Sequence, residues 1–117
     1  MSLIAERHAR RRVAATVTAI MLAGPLAGFA LAAEIHTVAQ RNRSFDEKSV
    51  EVAAGDVVRF TNDDSFLHQI FIASPSLNID TETQAPGSVI DVRFPKRGTF
   101  VVLCHIHPTM RLMVTVK

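Results

Sequence analysis

The sequence predicts an all-β fold of two packed sheets, carried behind a separate N-terminal segment. Three observations carry that expectation. Past residue 32 no stretch repeats its apolar residues at helical spacing. Short β-branched or aromatic runs are instead separated by Gly, Pro, Asn and Asp. Seven such runs fall close together, at 34–39, 49–53, 56–62, 68–73, 88–94, 99–104 and 110–116.

The N-terminal segment reads as an export signal. Arg10-Arg11-Arg12 form a basic cluster, and the stretch from Val13 to Leu31 is apolar and uncharged. Small residues close it, with Ala30 and Ala32 at the two positions a signal-cleaving enzyme reads. This divides the chain into a leader, residues 1–32, helical if retained, and a mature domain, residues 33–117. A permanent anchor is the poorer reading, because Gly24-Pro25 and Gly28 interrupt the run. The expected location is therefore the periplasm, with no membrane span left after cleavage.

Charge follows the leader. The chain carries 13 Lys and Arg against 11 Asp and Glu, with a pI near 9.2. Arg7, Arg10, Arg11 and Arg12 lie in the leader with only Glu6 to offset them. What remains is close to neutral, so the basic pI is no signal for nucleic acid, and no nucleic-acid partner is expected.

Within the mature domain, Ala54-Gly55-Asp56 and Lys96-Arg97-Gly98 are expected turns. Pro75 to Gly87 is expected to be a polar loop with one helical turn. Asp63 and Asp64 are read as turn residues, and His36 has no evident partner. Strand alternation puts Phe100, Val102 and Cys104 on one face, His68, Ile70 and Ile72 on another, and Met110, Leu112, Val114 and Val116 on a third. In each row the residue with metal-binding chemistry is the end member. Inward-facing rows would bring these end members together at one end of the sandwich.

Cys104 is the one cysteine of the chain. No internal disulfide can form, and a lone thiol in an oxidising compartment oxidises or cross-links unless something consumes it. Metal ligation does so. Cys104, His107 and Met110 are evenly spaced, with two residues between successive members, on a short turn between two strands. His68 supplies a donor from a different direction. Two imidazoles, one thiolate and a weak axial thioether form the trigonal ligand set of mononuclear blue-copper electron-transfer sites. Structural zinc of the multi-cysteine kind and a two-thiolate dinuclear copper centre are excluded by the single cysteine. A Cys–His hydrolase is the weaker reading, because no oxyanion motif is visible.

The same residues resemble the cupredoxins, in particular the plastocyanin, pseudoazurin and amicyanin group. Val50-x-Val52-Ala-Ala-Gly55-Asp56-x-Val58-x-Phe60-x-Asn62 followed by His68 is similar to that family's upstream half. Gly98-x-Phe100 leading to Cys104-x-x-His107-x-x-Met110 is similar to its ligand loop, with the short spacing of amicyanin. The resemblance implies an antiparallel two-sheet Greek-key β-sandwich, one type 1 copper per chain held by His68, Cys104, His107 and Met110, and diffusible single-electron transport by a monomer that is not an enzyme. It implies a redox protein as donor and another as acceptor, a cytochrome or redox enzyme, with His107 as the exit beside Pro108 and Leu67. Three departures stand out: Gln69 where Asn is usual, Phe100 where Tyr is common, and His105 directly after Cys104. The alternative functional reading is a periplasmic copper carrier or sensor using the same ligands. A subunit of an oxidase or reductase, with His105 serving a second copper, needs more ligands than one chain supplies.

Overall fold

The computed structural model describes residues 14–20, 24 and 32–117. The leader therefore lies largely outside the described residues. Its described part, 14–20 and 24, is neither helix nor strand, and no helix among the described residues is long and apolar enough to cross a membrane.

Nine strands follow: β1 (Ile35–Arg41), β2 (Ser44–Phe45), β3 (Ser49–Val52), β4 (Val57–Asn62), β5 (Ile70–Ser74), β6 (Leu77–Asp80), β7 (Val89–Arg93), β8 (Gly98–Cys104) and β9 (Arg111–Val116). They form two sheets, ordered β2-β1-β4-β7 and β3-β9-β8-β5-β6. The seven expected strands are present, with ends shifted by up to two residues.

Two short strands come in addition. β2 closes a hairpin on β1 through Asn42 and Arg43, both at positive φ (52° and 56°). That is the two-residue turn whose twist matches paired strands. β6 occupies part of the expected polar loop. It pairs antiparallel with β5, from Phe71 opposite Asp80 to Ser74 opposite Leu77, and no helical turn forms there. The half-buried Leu77 and Ile79 explain the difference: they alternate with exposed Asn78 and Asp80 and pack on the core.

The sheets are mixed. β1 runs parallel to β4, and β3 runs parallel to β9, while every other pairing is antiparallel. Parallel neighbours cannot be joined by a hairpin. The chain meets that constraint by leaving the first sheet after β2, laying β3 in the second, and returning for β4. The return uses Gly55 (φ 95°) in the expected tight turn.

The core follows the alternation. Phe60 and Val58 from β4 and Ile70 and Ile72 from β5 are fully buried, as are Val102 from β8 and Leu112 and Val114 from β9. Burying one such side chain stabilises the fold by roughly 1.5–3 kcal/mol. The end members of three rows, His68, Cys104 and Met110, are buried too. They lie beside each other because Ile70 of β5 is registered against Cys104 of β8, and Leu103 of β8 against Arg111 of β9.

Candidate metal centre

Cys104 is the last residue of β8, and its side chain points inward with Phe100 and Val102. After it the chain turns tightly, the Met110 amide donating to the His107 carbonyl (3.0 Å), and re-enters the sheet as β9. His68 enters from the other direction, just before β5. Its backbone is fixed by a reciprocal bridge to Gln84: His68 N–H to the Gln84 carbonyl (3.1 Å) and Gln84 N–H to the His68 carbonyl (2.7 Å).

Three donor atoms meet. His68 Nδ1 lies 3.7 Å from Cys104 Sγ and 3.2 Å from His107 Nδ1, and His107 Nδ1 lies 3.9 Å from Cys104 Sγ. Donors held about 2.0–2.3 Å from a common ion in one plane stand roughly 3.5–3.8 Å apart. The triangle is therefore the right size for one ion at its centre. Met110 is buried beside it at the mouth of β9. The arrangement is that of a type 1 copper site, and the donor set suits copper: a soft thiolate, two imidazoles and a thioether.

The groups behind the donors set their orientation. His68 Nε2 donates to Asp64 Oδ2 at 2.7 Å, with His68 fully buried and Asp64 nearly so. That bond fixes the proton on Nε2 and leaves the Nδ1 lone pair facing the triangle. Asp64 also accepts the amides of Asn42 (2.6 Å) and Arg43 (3.1 Å). Burial pushes the Asp64 carboxyl up, but the bonds from His68, Arg43 and Asn42 outweigh it and hold the group below the ordinary carboxylate value. Burial lowers the His107 imidazole, helped by His68 and Arg43, which favours the neutral ring that a metal requires. The Gln69 amide points at Cys104 Sγ (3.4 Å), a donor that stabilises negative charge on sulfur.

The sequence reading missed several of these partners. Asp64 is no mere turn residue; it lies four positions before His68 and anchors that ring. Gln84 is fully buried, receives Gln40 Nε2 on its Oε1 (2.7 Å), and donates to the carbonyls of Phe60 (2.9 Å) and Ser88 (3.0 Å). Phe66 packs its ring against both His68 (centroids 5.6 Å apart) and His107 (5.3 Å). Gln69, at the usual Asn position, sends its side chain to Asp80 and the Thr81 carbonyl, both at 2.9 Å, and so braces the β5–β6 hairpin. His36 does have a partner: its Nε2 lies 3.0 Å from Asp56 Oδ2.

His105 turns away from Cys104, as alternation requires. It is exposed, lies against the Phe71 ring (4.0 Å between centroids) and sits 3.4 Å from Asp80. Among the described residues it joins no second cluster of metal-binding side chains.

No family model matches the chain, and no curated protein matches it. Solved structures do. The chain is similar to the Cu-containing nitrite reductase from Thermus scotoductus SA-01, with 27% identity over 70% of this chain and a TM-score of 0.65. It spans 22% of that enzyme's length. It is similar to a purple cupredoxin from Nitrosopumilus maritimus, with 20% identity over 70% of this chain and 99% of the other, and a TM-score of 0.64. An amicyanin variant in its Cu(I) state gives 20% identity over 71% of this chain and 82% of the other, with a TM-score of 0.67.

Proposed function

We propose that this chain, cupredoxin-like in fold, is an exported type 1 copper protein that carries single electrons between redox partners, with His68, Cys104, His107 and Met110 as ligands. The observation that carries the reading is the donor triangle, with its buried histidine already turned by Asp64 to present Nδ1. Copper in such a site supplies the Cu(I)/Cu(II) couple.

The chain's own residues do the rest. Asp64 and Gln84 fix the ring and the backbone of His68, and the sheet fixes Cys104, so the fold itself holds the ligands in place. A site that does not rearrange favours fast one-electron exchange. The Gln69 amide on Cys104 Sγ draws charge from the thiolate and favours the reduced state. His107 is the one ligand with surface exposure. Its chain neighbours Ile106 (42% exposed) and Pro108, and Leu67 (45%) just before His68, are exposed apolar residues, the kind of small contact that transient redox encounters use.

Burial of His68, Cys104 and Met110 argues against a metal that exchanges readily, and so favours an electron carrier over a copper carrier or sensor. The nitrite reductase likeness covers only part of that enzyme, and His105 gathers no further ligands here, so the chain is read as a carrier rather than an enzyme.

The test is to add one equivalent of Cu(II) and record visible and EPR spectra. An intense thiolate-to-copper band with narrow hyperfine splitting, absent in Cys104→Ser, supports the carrier. A colourless complex, or preference for Zn(II), overturns it.

A further inference from the structure

The turn between β1 and β2 belongs to the metal centre as much as to the hairpin. Asn42 and Arg43 both give their amides to Asp64, whose other contact is His68. This holds the Arg43 backbone in its left-handed conformation and sets its side chain over the Phe66 ring, with the guanidinium carbon 4.7 Å from the centroid. Phe66 in turn packs on His107 and His68. A positive charge is thus stacked on the ring that separates it from two ligands.

The neighbouring carboxylates do not ion-pair with it. Asp63 is engaged by Arg41 (2.8 Å), and Asp64 is buried and faces inward. Among the described residues, no carboxylate lies within ion-pairing distance of the Arg43 guanidinium. The Arg43 guanidinium, stacked on the ring that precedes Leu67 in the chain, is therefore an exposed positive charge.

We infer that Arg43 is an electrostatic lever on the metal centre: its charge raises the reduction potential, and a carboxylate-bearing electron acceptor neutralises it on docking, which lowers the potential as the complex forms. The inference rests on the copper-carrier reading above. A cation near the metal favours Cu(I) over Cu(II), because the reduced site carries one positive charge fewer. Pairing Arg43 with a partner carboxylate removes that preference where the electron is to be handed over. With copper in the site, one electron would pass from Cu(I) to the acceptor's one-electron centre, and no bond or proton would change hands. Discrimination is built into the same arrangement: an acidic rim meets Arg43, and a basic one is repelled.

At roughly 10 Å in a partly screened setting, a unit charge changes an equilibrium by about threefold. The experiment compares the copper-loaded full chain with Arg43→Gln and Arg43→Lys, which differ from it in side chain and leave the turn's amides in place. Voltammetry gives the potential. Stopped-flow oxidation of the reduced protein uses anionic hexacyanoferrate(III) and cationic tris(phenanthroline)cobalt(III). The ratio of the two rates cancels the change in driving force. Arg43→Gln is expected to shift the Cu(I)/Cu(II) equilibrium about threefold, a fall of about 28 mV for a one-electron couple, and to lower the anionic-to-cationic rate ratio at low salt. Arg43→Lys restores both. A Gln variant that keeps the blue band with potential and rate ratio unchanged overturns the inference. A parent protein with no blue band overturns the carrier reading instead, and the inference with it.

Discussion

Replacing Asp64 by Asn tests how the site is held, because it alters one atom and leaves the side chain's shape. In the native chain Oδ2 accepts His68 Nε2 at 2.7 Å and the Arg43 amide at 3.1 Å, while Oδ1 accepts the Asn42 amide at 2.6 Å. Asn has one oxygen for these donors. Keeping that oxygen on the Asn42 amide turns the NH2 toward His68 Nε2 and the Arg43 amide. The ring then prefers the tautomer with its proton on Nδ1, the atom that faces Cys104 and His107. A charge-assisted bond worth about 1.5–3 kcal/mol is lost. Partners of this kind usually change metal affinity by about 10–100-fold. Competition against a chelator of known affinity measures the loss, and voltammetry on the remaining loaded protein should show a higher potential, since a negative charge behind a ligand stabilises Cu(II). Urea unfolding of the metal-free protein separates the two roles, for the hairpin bonds act without metal. Copper affinity and potential both within error of the parent protein would refute the idea that Asp64 orients His68.

Four other perturbations give expected outcomes. Met110→Leu should keep the intense visible band and raise the potential, because a weak donor to Cu(II) is removed while the triangle stays; voltammetry checks it. Gln84→Ala leaves Gln40 Nε2 and the carbonyl of Phe60 short of partners and should cost about 3 kcal/mol in urea unfolding. Phe60→Ala, at a fully buried centre of β4, should cost about 3–5 kcal/mol in the same assay. Asp56 supplies the pH dependence. Bonds from the amides of Glu34 and Ala53, and then from His36, hold its carboxyl below the ordinary value near 3.8. A carboxyl depressed in the folded state stabilises the fold above its unfolded value, and that contribution is lost as pH falls through the folded value. Asp56→Asn should therefore flatten the acid limb of a stability–pH curve measured by urea midpoints.

What the sequence made legible was local. Alternation alone put Cys104, His68 and Met110 on inward-facing rows and turned His105 outward, because period two is fixed by the backbone. Glycine and Asp marked the turn at Gly55. The partners of the site were harder to see, since each joins residues distant in the chain. Gln84 bonds Gln40 across 44 positions, and the Asn42–Arg43 turn meets Asp64 from 22 and 21 positions away. Nothing in the polar stretch around Gln84 announces that one glutamine of it is buried. Asp64 lies close to His68 in sequence, yet Asp in a turn is so common that its second use was hidden. The parallel pairings of β1 with β4 and β3 with β9 follow from chain crossings between sheets, which periodicity does not encode. β6 escaped notice because its alternating Leu77 and Ile79 span only four residues among turn-forming neighbours.

The central claim is that one copper ion sits among His68 Nδ1, Cys104 Sγ and His107 Nδ1. X-ray absorption on the chain loaded with one equivalent of copper reads that shell directly. The account predicts two nitrogen donors and one short sulfur donor, little changed between the oxidised and reduced protein, with the sulfur lost in Cys104→Ser. A shell of nitrogen and oxygen alone, the same with and without Cys104, would contradict it.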